Sequence, residues 1–305
     1  MNITPEIKQK HTEMFYPTVR VRTRKAGGSG TVVYSKKFKK ESCTYVITNH
    51  HVISDNIAVK KKWNPILKKK VDTEILDTVS VEFFRYNNFS HCIGSFAVEA
   101  DIVAYSEYEG GQDWALLKTR DIENTHKFVA KLYPKKEIKS IHIFDSCFAV
   151  GASLGHPPIA TEGHISYMDD EIDHYKYWMS TAQTIFGNSG GSVYRWSKRR
   201  ERYEYIGIPS RISIQPMGFS ADAITHMGYF IPIDRVYDLL DENEYQFIYD
   251  KDYNIGECRK RRMEKQDKSK QLLARDLNDQ DEDDDELDWD PKEYTFGDDE
   301  KLLQN

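Results

Sequence analysis

Between Pro17 and Pro232 the apolar positions come in short runs separated by Gly, Asn, Asp and Pro, a pattern of strands and turns. The runs are Thr18–Thr23, Thr31–Ser35, Tyr45–Thr48, Val79–Tyr86, Ile102–Tyr105, Trp114–Thr119, Ile141–Phe144, Gly163–Tyr167, Tyr177–Thr181, Ser192–Trp196 and Tyr203–Ile208. They are rich in Val, Ile, Tyr, Phe and Thr, which suit a pleated, half-buried surface. Strands do not alternate with long amphipathic helices, which argues against a doubly wound α/β sheet. Many short strands closed by turns predict an all-β sandwich or barrels. Asp234–Tyr249 is the clearest helical stretch. Val236, Leu239, Leu240 and Phe247 give it an apolar face, and Asp234 stands where a cap belongs. After Gly256 the periodicity is lost. Arg259–Lys270 is strongly basic, and Asp281–Asp290 holds eight carboxylates. Such a segment has too little apolar surface to offset the entropy of ordering. The expectation is a domain over residues 12–250 and a charged, disordered tail over 251–305.

Composition narrows this picture. A chain of 305 residues can bury a sizeable core as one all-β unit. The net charge of -6 argues against a nucleic-acid partner, and the acidic run accounts for all of it. The four cysteines, Cys43, Cys92, Cys147 and Cys258, show neither CxxC spacing nor a paired framework, so free thiols in a reducing compartment are expected. The first 15 residues are polar, without the apolar core of a secretory signal. No stretch approaches the roughly 20 apolar residues that span a bilayer. A cytoplasmic protein without a membrane partner is the expectation. Lys60–Lys62 and Lys68–Lys70 read as a solvated basic loop.

Three local motifs carry chemistry. A β-run ends in Thr48-Asn49 and delivers His51. Asp113 immediately precedes the apolar run Trp114-Ala-Leu-Leu. Ser189 sits in the glycine-rich turn Gly187-Asn-Ser-Gly-Gly191. A serine hydroxyl is a poor nucleophile without an adjacent base. Neutral imidazole supplies that base near pH 7, and a carboxylate fixes its tautomer. The oxyanion needs preorganised donors, and the backbone N–H groups of Gly187 and Ser189 are the candidates. Each motif alone is weak. The order His, Asp, Ser matches one of the three common triad arrangements.

The same segments resemble the HtrA/Deg branch of the trypsin-like serine peptidases. Gly28-Ser-Gly-Thr-Val-Val33 resembles that family's GSG-hydrophobic opening, and Thr48-Asn-His-His51-Val its histidine motif. Asp113-Trp-Ala-Leu-Leu-Lys118 and Gly187-Asn-Ser-Gly-Gly191 resemble its aspartate and serine motifs. Gly228-Tyr-Phe-Ile-Pro-Ile-Asp234 resembles its GFAIPID segment. The resemblance runs in order over about residues 15–240. It implies an all-β chymotrypsin-like fold of two perpendicular Greek-key β-barrels, with a short C-terminal helix, and a cleft between the barrels holding His51, Asp113 and Ser189. It selects His51 over His50, and Asp113 over Asp101, which lacks the following Ala-Leu-Leu-Lys. It implies a substrate pocket built from Gln183, Ile206, Gly207, Ile208, Pro209 and Ser210. Gln183 replaces the aspartate of trypsin-type enzymes, so a small or medium apolar residue is expected before the cleaved bond. The chain departs from the family in its lysine-rich insertion near residues 54–80 and in the missing PDZ domain.

The resulting expectation is a serine endopeptidase acting on polypeptides without a cofactor. The charged tail would dock a protein partner, and a homo-oligomer is open. A leaderless, tail-bearing member would suit a virus-encoded origin. The alternative is a catalytically silent protease fold used for binding or assembly. Gly187–Gly191 also fits the G-x-S-x-G elbow of α/β-hydrolases, but the helix that must follow is not indicated. The other histidines lack zinc spacing.

Overall fold

The computed structural model describes residues 3–64, 69–106, 112–121, 123–217 and 220–283. A helix, α1 (Pro5–Lys10), continues through a π-turn at His11–Phe15. The strands β1 (Thr18–Arg22), β2 (Gly27–Phe38) and β3 (Glu41–Thr48) follow, and β3 ends in the four-residue helix α2 (His50–Ile53). Next comes an antiparallel ribbon of β4 (Ile57–Asn64) and β5 (Lys69–Leu76). Then β6 (Val79–Asn87), β7 (His91–Tyr105) and β8 (Ala115–Thr119) close a six-stranded barrel in the order β1-β2-β3-β8-β7-β6. A second closed barrel contains β9 (Ser146–Gly151), β10 (Ile159–Ile172), β11 (Tyr175–Ser180), β12 (Ser192–Ser197), β13 (Arg202–Met217) and β14 (Ser220–Pro232). Its order is β10-β11-β14-β13-β12-β9.

Alternation explains the two cores. Val19, Val21, Val32, Val46, Ala115 and Leu117 point into the first barrel. Their neighbours Tyr45, Ile47, Trp114 and Leu116 point out of it, into a larger cluster shared with the second barrel. β3 and β8 are therefore buried on both faces, which is why they read as continuous apolar runs rather than alternating ones. The same cluster receives Tyr245 and Phe247, whose rings lie 5.8 and 5.5 Å from that of Tyr45, together with Ile255 and Cys258.

The expected all-β chain of two perpendicular Greek-key barrels with one short C-terminal helix needs correction. Besides α3 (Ile233–Glu242), the C-terminal segment forms α4 (Ile255–Asp283), a 29-residue helix and the longest element of the fold. Sequence reasoning weighed charge against apolar surface and gave too little weight to helix-forming residues. Lys, Arg, Glu, Gln, Leu and Ala dominate residues 259–275, and all are strong helix formers. The docking is also polar. The Arg262 guanidinium donates to the Glu244 carbonyl and lies 4.0 Å from the Tyr245 ring centroid. Lys265 Nζ donates to the Glu242 carbonyl at 2.8 Å, and Arg261 pairs with Glu244 at 3.0 Å. Cations thus meet the open carbonyls at the C-terminus of α3. The acidic run beyond Asp283, like Lys68, lies outside the described residues.

Arg262→Ala is expected to lower the free energy of unfolding by about 1–2 kcal/mol, through the lost ring contact and helix-end charge. A denaturant midpoint that falls with an unchanged m-value checks it.

Two smaller expectations also change. Ile141–Phe144 is a turn, because the Asp145 carboxylate accepts from the His142 amide at 2.8 Å and Phe144 takes φ +75°. The predicted helix stops at Glu242 and is followed by a separate 3-10 turn at Gln246–Ile248. Pro232, not Asp234, occupies its cap position. Among the described residues, no helix is long and apolar enough to cross a membrane.

Candidate active site

β3 brings the backbone to Thr48 and Asn49, both buried. The Asn49 amide donates to the Asp113 carbonyl at 2.7 Å, which fixes the segment before β8 against the end of β3. The turn into α2 then separates the adjacent histidines. His50 goes inward and stacks on Tyr105 with centroids 5.4 Å apart and planes 18° apart. Burial pushes its pKa down, toward the neutral ring. His51 goes outward, and its side chain is 47% exposed.

Asp113 binds His51 through both oxygens. Oδ1 accepts from the His51 backbone N–H at 2.9 Å, and Oδ2 lies 2.8 Å from His51 Nδ1. The Ser210 hydroxyl donates to Oδ2 at 2.6 Å. Asp113 takes φ +51°, in the left-handed region that Asp tolerates better than most residues. Burial alone would raise its pKa. The hydrogen bonds and charge of His51, with the Ser210 hydroxyl, outweigh burial and hold the carboxyl below its ordinary value.

The turn around Ser189 is built by its glycines and by Ser29. Gly187 has φ +94°, and a Cβ there would lie 2.7 Å from the Leu154 nitrogen. The Ser29 hydroxyl donates to the Gly187 carbonyl at 2.6 Å and accepts from the Ala152 amide at 2.7 Å. The Ser29 amide donates to the Ser189 carbonyl at 2.7 Å. Among the described residues, the N–H groups of Gly187 and Ser189 have no backbone acceptor.

His51 and Ser189 line one cleft of about 280 Å³, though their side chains make no hydrogen bond with each other among the described residues. Of the residues expected to form the substrate pocket, Pro209 and Ser210 line this cleft. Ile206 and Ile208 are fully buried in the large core, and Gly207 packs where a Cβ would lie 2.3 Å from the Ile231 carbonyl. Gln183 is exposed elsewhere, its carbonyl accepting from the Thr161 hydroxyl. Thr184, Ile185, Phe186, Asn188, Arg211 and Ile212 complete the lining.

Residues 28–200, more than half of the chain, match the family model described as a trypsin-like peptidase domain. The chain belongs to the trypsin-like peptidase domain family. No curated protein matches it. Among solved structures it is similar to the HtrA-type protease AlgW with tripeptide, at 19% identity and TM-score 0.53 over 78% of this chain and 63% of that one. A variant of AlgW with tripeptide gives 17% identity and TM-score 0.52, over 77% and 62%. This peptidase domain thus spans less than two thirds of the length of either structure, and the likeness is one of fold.

Sequence reasoning missed Ser29 and the bond from Ser210 to Asp113. A signal for the first lay in Gly28-Ser-Gly30: a Cβ on Gly28 would come within 3.0 Å of the Ser189 carbonyl. Flanking glycines mark such close approaches. Nothing local marked Ser210, because the contact spans 97 positions of sequence.

Gly190→Ala is expected to disrupt this turn. Gly190 has φ +82°, and a Cβ would sit 2.3 Å from both the Ser29 carbonyl and the Thr48 hydroxyl. Strain and overpacking together predict a loss of about 3 kcal/mol. A thermal melt of the variant beside wild type measures it.

Proposed function

We propose that the protein is a serine endopeptidase that hydrolyses polypeptides through an acyl-enzyme. The reading rests on one observation above all. The Asp113 carboxylate is bonded at once to the backbone N–H and Nδ1 of His51 and to Ser210, while His51 and Ser189 face the same cleft. Asp113 on Nδ1 leaves the other ring nitrogen of His51 to act on Ser189. Ser189 Oγ attacks the scissile carbonyl as His51 takes its proton, and the oxyanion is held by the amides of Gly187 and Ser189. His51 then gives that proton to the leaving amine. Water, deprotonated by the same ring, attacks the acyl-enzyme and releases the carboxylate product and free Ser189. The contact between Ser189 and His51 forms as substrate enters, because such bonds are often loose in the free enzyme.

A silent protease fold used for binding is the second reading, and the missing Ser189–His51 bond is the observation in its favour. A fluorophosphonate probe separates the two. Covalent labelling of the folded protein supports the peptidase; a folded protein that stays unlabelled supports the silent fold.

A further inference from the structure

Among the cleft residues that the hydrolytic steps leave without a role, one carries a permanent charge. Arg211 follows Ser210 in β13 and lines the same cleft as His51 and Ser189. Its guanidinium carbon lies 5.2 Å from the Tyr177 ring centroid, and one of its terminal nitrogens donates to Asp173 at 2.7 Å. The Arg211 side chain is 37% and that of Asp173 70% exposed, so water screens the pair, mostly from the Asp173 side, and weakens its hold on Arg211. The aromatic face and this tether set the position of the cation without consuming it. A guanidinium carries five N–H donors in a fork that matches a carboxylate.

The rest of the lining shapes what this cation can select. Ile185, Phe186, Pro209 and Ile212 are apolar, and no carboxylate lines the cleft among the described residues. Asp113 stands behind His51 with both oxygens engaged. An occupied cleft would exclude water from these apolar walls, which strengthens the pull of Arg211 on a negative charge.

We propose that Arg211 determines specificity in this cleft, selecting polypeptides that carry a Glu or Asp side chain at one position flanking the cleaved bond. The assignment rests on the serine-endopeptidase reading above and replaces the expectation of purely apolar selection. A charge-assisted bidentate contact distinguishes a carboxylate from the matching amide by about ten- to a hundredfold.

The test uses the full chain and a positional-scanning peptide library, with fluorophosphonate labelling run in parallel. In wild type, one position should favour Glu over Gln by that factor in kcat/KM. The preference should shrink between about 50 and 500 mM NaCl, because Arg211 remains 37% exposed at the cleft edge and salt screens its charge. Arg211→Gln should abolish it, and Arg211→Glu should turn it toward Lys. A labelled wild type with a flat profile overturns the assignment and leaves the peptidase reading standing, as does a Glu preference that survives in Arg211→Glu. An unlabelled wild type overturns the peptidase reading. The cleft is then read without turnover, by anisotropy of fluorescent Glu-containing and Gln-containing decapeptides. Tighter binding of the Glu peptides that is lost in Arg211→Gln supports the role of Arg211; equal binding overturns it.

Discussion

Ser189→Ala is expected to abolish fluorophosphonate labelling and to lower kcat on unfolded casein by about 10⁶-fold, since a nucleophile that acts as a unit with its base leaves little activity when removed. The fold should be untouched. The Ser189 side chain makes no hydrogen bond among the described residues, and the turn is held by backbone groups, Ser29 and the glycines. Stability should therefore change by no more than about 0.5 kcal/mol. The decisive comparison is labelling and casein cleavage by wild type and variant, each with its melting curve. Labelling that persists in the variant would move the nucleophile to another residue. Cleavage that persists without labelling would point to a contaminating peptidase.

Asp113→Asn carries the second largest effect, a loss of about 10⁴-fold in kcat. An amide can still meet His51, but it cannot stabilise an imidazolium, and its N–H₂ can force the wrong ring tautomer. The same variant reports on stability. The folded carboxyl lies below its ordinary value, so the native state binds fewer protons than the unfolded chain around that range. Ionised Asp113 therefore stabilises the fold above the unfolded value of about 4. That contribution is lost as pH falls through the lower folded value. Urea titrations of wild type and Asp113→Asn should differ most near neutrality and converge in acid. A gap that stays constant from pH 7 to pH 3 would mean that the carboxylate charge contributes nothing.

Much of the site was legible along the chain because its chemistry is carried by short local motifs. A strand that ends in Thr48-Asn49 presents the next residues at its tip, and an aspartate before Ala-Leu-Leu-Lys stands where another strand begins. Glycines around Ser189 mark a turn whose positive φ values exclude most side chains. Adjacent in sequence, the two histidines part in the fold, His51 exposed beside Asp113 and His50 buried against Tyr105. The substrate pocket was less legible. Ile206, Gly207 and Ile208 are consecutive with Pro209 and Ser210, yet they fall in the core while the latter two reach the cleft. The pairing of β13 with β14 shifts register between Pro209 and Arg211, and no local pattern encodes that shift.

What the sequence alone determined were the strand-rich body, its glycine turns and the three residue types of the proposed triad, because each depends on a few neighbouring positions. Tertiary structure decided what depends on contacts between distant segments. It set Ser210 on Asp113, Ser29 under the Ser189 turn and Arg211 in the cleft wall. It also ordered the charged C-terminal segment as α4. That helix has too narrow an apolar face to be expected in isolation. Ile255 and Cys258 enter the shared core, and Arg262 and Lys265 meet the open carbonyls at the end of α3. Burial and helix-end charge together offset an ordering entropy that composition alone had judged too large.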